Sequence, residues 1–103
     1  MTTHIVYVTF PTKKEAQQTV DALISRRLIA CANISLVESR YTWKSKKVVG
    51  KEFVAICKTD KPKLVERAIL DSHSYDVPCI LSWKVKANKS FDAWVATSCK
   101  KKN

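Results

Sequence analysis

Apolar positions along this chain alternate between a period of two and a period near three and a half, and each switch marks an element. Residues 5–10, IVYVTF, form a β-branched and aromatic run that predicts a strand. The period then becomes helical, with Ala16, Val20, Leu23, Ile24 and Leu28 on one face. Thr12 precedes that run and Glu15 follows it by three, the spacing of a capping box. From Ala30 to Trp43 the chain reads as extended. Ile34 and Leu36 share one parity there, whereas Val37, Tyr41 and Trp43 share the other. A change of parity inside one strand predicts a bulge or bend. After a basic turn, EFVAICKT (52–59) predicts a strand antiparallel to the last. Asp60 as cap and Pro62 in the first turn then open a second helix, whose inner face is Val65, Ala68, Ile69 and Ser72. CILSWKV (79–85) predicts the fourth strand. Ser90 is the expected cap of a short last helix, with Asp92 in its first turn and Phe91, Trp94 and Val95 as its apolar stripe.

The order is β-α-β-β-α-β plus a C-terminal helix, an α+β, ferredoxin-like arrangement with two helices on one face of an antiparallel sheet. Right-handed crossovers leave the other face bare. Yet Phe53, Ala55 and Cys57 alternate with Val54 and Ile56, so the third strand is apolar on both sides. The fourth has Cys79, Leu81, Trp83 and Val85 on one side and Ile80 on the other. A two-helix layer covers one face only, so the second apolar face predicts a homo-oligomer.

Length and composition narrow the picture. At 103 residues the chain is expected to be one domain, residues 1–103, burying roughly 65% of its unfolded surface. The apolar run near the start is too short to span a bilayer and lacks a cationic leader before it, which argues against a membrane or secretory segment. Cys31, Cys57, Cys79 and Cys99 are 26, 22 and 20 residues apart, without a C-x-x-C pair. That spacing speaks against a zinc ribbon and for free thiols in a reducing, cytoplasmic setting. Much of the net charge of +10 is concentrated in KSKKVVGK (44–51) and the tail CKKKN (99–103). Such runs are most often a solvated hairpin tip and a frayed end, though they attract polyanions non-specifically.

The candidate chemistry is sparse. Two histidines, His4 and His73, and no local catalytic-cysteine signature argue against nucleophilic catalysis. Gly50 is the sole glycine, so no phosphate-cradling loop is present. No enzyme is expected. The stretch HSYDVPCI (73–80) joins the second helix to the fourth strand and brings His73 and Cys79 close in sequence. Imidazole and thiolate suit copper or zinc, and Cys31 and Cys57, read as lying on central strands, would add sulfur only if the fold brought them near. Against this, a thiol on an apolar strand is usually a small buried hydrophobe, and a histidine at a helix C-terminus usually meets the last carbonyls. The RNA-recognition motif has the same element order. In VGKEFVAI, however, Lys51 and Ile56 replace two stacking aromatics, and Glu52 replaces a small residue. RNA binding stays a minor alternative resting on charge.

Five strings together resemble the CutA divalent-cation-tolerance family: LIACANI (28–34), SRYTWKSK (39–46), ICKT (56–59), HSYDVPCI and FDAWV (91–95). The resemblance runs from about Ile5 to Cys99. It implies a ferredoxin-like subunit in a homotrimer similar to the PII signalling proteins, and a role in tolerance to copper and other divalent metals. The departures are specific. The family's Trp-Glu-Gly-Lys turn is Trp43-Lys44-Ser45-Lys46 here, and its His-Pro-Tyr-x-x-Pro-Glu pattern has Ser74 for the Pro and Cys79 for the Glu. Of the family's proposed metal ligands, a first-strand Cys and a His pair, only His73 carries over. The expectations are therefore a non-catalytic homotrimer, with His73 and Cys79 as candidate copper or other divalent-cation ligands. A ligand cleft between subunits is expected at Tyr41, Trp43, Lys58, His73 and Tyr75. The competing reading is a PII-like signalling or protein-interaction platform without metal.

Overall fold

The computed structural model describes residues 2–101, so the last two residues of the basic tail lie outside it. Its elements are β1 (His4–Phe10), α1 (Lys13–Ser25), β2 (Cys31–Trp43), β3 (Lys46–Thr59), α2 (Pro62–Ser72), β4 (Ile80–Lys84) and α3 (Lys89–Ser98). The strands form one antiparallel sheet in the order β2-β3-β1-β4. Each of the first two helices thus links strands separated by one other strand, as the β-α-β-β-α-β order predicts.

Register assigns the faces. Val6, Val8 and Phe10 of β1 stand opposite Cys57, Ala55 and Phe53 of β3, and this side packs on Ala16, Val20 and Leu23 of α1 and on Val65, Ala68 and Ile69 of α2. Two residues expected on the helices' inner faces lie elsewhere: Ile24 is exposed, and Ser72 is exposed with its hydroxyl donating back to the carbonyl of Ala68. The uncovered face carries Ile5 and Tyr7, with Leu81 and Trp83 opposite them on β4. Leu81 is 54% and Trp83 46% exposed.

Local signals explain the ends. Thr12 caps α1, its hydroxyl accepting from the backbone N–H of Glu15 at 3.1 Å. Arg27, at φ 56°, ends the helix in a Schellman motif: its N–H goes to Ile24 and that of Leu28 to Leu23. Leu28 then packs against the core. The N-cap of α2 is Lys61 and not Asp60, because the side chain of Thr59 takes the Lys61 N–H. The N-cap of α3 is Asn88 and not Ser90.

The expected bulge is absent: β2 and β3 pair without a break from Cys31↔Lys58 to Trp43↔Lys46. Residues 46–51 are strand, not turn, and only Lys44 and Ser45 form the tip. Both have positive φ, 51° and 65°, the two-residue geometry whose twist matches a hairpin. The parity change has another cause. Leu36 is the last apolar β2 residue on the helix side and is already 54% exposed, so beyond it the hairpin has left the helix layer. Val37, Tyr41 and Trp43 face the other way, and Tyr41 and Trp43 there share a space with residues of the 73–79 joint. The radius of gyration, 14.4 Å, exceeds the roughly 13 Å of a compact chain this long, reflecting that projection.

Candidate functional site

The joint between α2 and β4 passes the C-terminal end of β1, since Ile80 pairs with Val8. There the His73 side chain is fully buried and stacks on Phe10, ring centroids 4.8 Å apart and planes 13° from parallel. Its Nδ1 accepts from the Tyr75 backbone N–H at 3.0 Å, and its Nε2 lies 2.7 Å from the Thr9 carbonyl oxygen. An amide can only donate and a carbonyl only accept, so the ring proton sits on Nε2. The ring therefore serves β1 and the joint, not the last carbonyls of α2.

Glu15 reaches the same joint. Its carboxylate accepts from the Ser74 hydroxyl at 2.7 Å and the Ser74 N–H at 3.2 Å. The side-chain half of the expected capping box is thus spent on a tertiary contact. Tyr75 tilts against His73 at 4.9 Å and donates its phenol to Glu52 at 2.7 Å. Burial and that acceptor hold the phenol well above its usual range, so it stays a donor.

These contacts close a cavity of about 430 Å³ between the hairpin and the joint. Tyr41, Trp43 and Glu52 come from the hairpin, Tyr75, Asp76, Val77 and Cys79 from the joint, and Thr9 from β1. Tyr41, Trp43 and Tyr75 of the expected cleft are therefore brought together within one chain. His73 stands behind Tyr75 without lining the space. Lys58 is elsewhere: it pairs with Cys31, six residues along β3 from Glu52, and its ammonium donates to Asn33. Glu52 was not among the expected cleft residues, because the phenol that engages it lies 23 residues away in the chain.

The donor set for a metal is poor. Both ring nitrogens of His73 are engaged, and burial together with the Glu52 charge pushes the Cys79 thiol up. Cys57, on the helix side, is buried and pushed up to about 12. Among the described residues, no group of three or more His, Cys, Asp or Glu side chains is placed to hold a metal ion.

The family model described as CutA1 divalent ion tolerance protein matches residues 4–98. The chain belongs to the CutA1 family. The divalent-cation tolerance protein CutA of Thermococcus kodakarensis is 40% identical over 95 residues, covering 89% of this chain and 91% of that protein. The solved structure of the Archaeoglobus fulgidus CutA, described as a periplasmic divalent cation tolerance protein, superposes with a TM-score of 0.91 at 30% identity, covering 95% of this chain and 99% of that one. A PII-like CutA from Nostoc superposes with a TM-score of 0.88 at 18% identity, covering 96% of this chain and 99% of that one, a likeness of fold. Among the described residues, no helix is long and apolar enough to cross a membrane.

Proposed function

We propose that this CutA-family chain serves divalent-cation tolerance as a non-catalytic homotrimer, residues 1–103 forming one unit, and that the cavity between hairpin and joint is its ligand site. The cavity carries the reading, because it draws its walls from segments far apart in sequence and fixes them with the Tyr75–Glu52 bond. Assembly is supported by Leu81 and Trp83 on the uncovered sheet face, and by Leu36 and Val49 on the projecting hairpin, all about half exposed. Catalysis is disfavoured by the histidines, His4 facing the Thr2 carbonyl and His73 locked as above, and by raised thiols at Cys57, Cys79 and Cys99. Free cysteines at all four positions fit a reducing, cytoplasmic compartment.

Copper or another divalent ion at His73 and Cys79 is the reading this geometry favours less, since His73 would first have to release Tyr75 or Thr9. The PII-like platform without metal remains the second reading, supported by the Nostoc fold. Native mass spectrometry of the reduced protein, with and without one equivalent of Cu(I) or Cu(II), tests all three. Three chains of 11.7 kDa travelling together support the assembly. Uptake of one ion per chain, lost in His73→Ala, restores the metal site. A trimer that takes none leaves the platform, and a monomer removes the assembly.

A further inference from the structure

We propose that the cavity between hairpin and joint selects an organic ammonium ion through the aromatic faces of Tyr41, Trp43 and Tyr75 and the carboxylates of Glu52 and Asp76. This rests on the cavity being a ligand site at all.

The argument is one of charge and ring chemistry. The chain carries 19 lysines and arginines against 9 acids. Yet the described residues that line the cavity include two carboxylates and no basic side chain. Lys46, which pairs with Trp43, stays outside the lining. Tyr41 and Trp43 leave about half their surface open, 48% and 47%. An aromatic face attracts a cation through its quadrupole, most strongly when the cation is large and weakly hydrated. The cavity, about 430 Å³, has room for such an ion. A small divalent ion demands several hard oxygen ligands or soft thiolates close together. The site does not supply them: among the described residues no set of three is placed to chelate, one Glu52 oxygen is taken by Tyr75, and burial and the Glu52 charge push the Cys79 thiol up. A carboxylate near an aromatic wall suits a soft, alkylated cation instead. An anionic ligand would meet two like charges.

The test is an NMR titration of the ¹⁵N-labelled full chain with tetramethylammonium chloride, against tert-butanol as its neutral near-isostere and zinc chloride as the bare metal. The expected result is a tetramethylammonium-dependent shift of the Trp43 indole and the amides of Tyr75, Asp76, Val77 and Cys79, with tert-butanol at least about fivefold weaker. Glu52→Gln, which keeps an acceptor for Tyr75, weakens the ammonium about tenfold, and the exposed Asp76→Asn acts in the same direction without touching the core. Binding of tert-butanol as tight as the ammonium overturns the cation assignment and leaves the cavity a ligand site. Zinc shifting these residues while the ammonium does not overturns it in favour of metal. No shift with any probe overturns both the assignment and the ligand-site reading.

Discussion

The phenol of Tyr75 donates to the Glu52 carboxylate at 2.7 Å, a bond between residues 23 apart that ties the α2–β4 joint to the hairpin. It holds two walls of the cavity in one position. Tyr75→Phe removes only this hydroxyl, and is expected to cost about 1.5 kcal/mol, the low end for a bond to a charged group because both partners are only half-buried. Denaturant unfolding at fixed protein concentration measures it. A change of a few tenths of a kcal/mol would mean that solvent replaces the bond.

His73 holds the same joint from the inside. His73→Ala leaves the Thr9 carbonyl and the Tyr75 N–H without their partner and opens a hole beside Phe10. The expected loss is roughly 3 kcal/mol or more. A ligand role predicts the opposite pattern, near-normal stability with lost metal uptake. Unfolding and native mass spectrometry on the same variant separate the two.

The two-residue and helical periods were enough to read every element and the sheet's two-sided strands, because burial on one face or both is written in side-chain type. What the sequence left ambiguous was which neighbour each polar group would choose. Glu15 had the spacing for a capping box and went to Ser74. Thr59 displaced Asp60 as the group that organises the start of α2. The parity change near Val37 looked like a bulge, but it marks the place where the covered face changes. Tyr41, Trp43 and Tyr75, expected in a cleft between subunits, line one space within a single chain. Glu52 was not legible as their neighbour, since its bond depends on a phenol 23 residues away, and the distance that sets Lys58 six residues along β3 from it was not legible either.

Asp92 gives a pH signature. Its carboxylate accepts from the Thr3 hydroxyl at 2.6 Å and from the Thr2 and Thr3 N–H groups, and these bonds hold it below the usual carboxylate range. A group whose pKa is lower folded than unfolded contributes stability that is present above its unfolded value, about 4, and is lost as pH falls through the folded one. Wild type is therefore expected to exceed Asp92→Asn in stability at pH 7, with the gap closing as pH drops below about 4. Parallel unfolding curves from pH 7 to pH 2 measure it. A gap independent of pH would show that the bonds do not need the charge.

The thiol of Cys79 reports on the cavity's charge. Burial raises it first and the Glu52 carboxylate raises it further. Only the thiolate is alkylated, so at a fixed pH Glu52→Gln is expected to speed iodoacetamide labelling of Cys79, while buried Cys57, pushed up to about 12, stays unlabelled until unfolding. Peptide mass spectrometry over time reads both. Unchanged labelling at Cys79 would place Glu52 too far away to act on it.

The chain's one glycine stands at none of its positive-φ positions. Arg27, Lys44 and Ser45 have φ of 56°, 51° and 65°, where a Cβ is strained, whereas Gly50 lies within β3 without a positive φ, and a Cβ built there meets nothing within 4 Å. The CutA pattern that SRYTWKSK resembles has glycine where Ser45 stands. Ser45→Gly and Arg27→Gly are each expected to stabilise by about 0.5–1 kcal/mol, the relief of strain outweighing the added freedom of the unfolded chain. Gly50→Thr is expected to add about 0.5 kcal/mol by favouring extended backbone and by giving the strand a side chain. The three sites are far apart in the fold, so the triple variant should approach the sum. Ser45→Val supplies the opposite sign, because a β-branched side chain at positive φ costs more than serine. If Ser45→Gly and Ser45→Val moved the unfolding midpoint equally, the tip would be adapting its backbone to the residue, and the strain assigned to the hairpin would not exist.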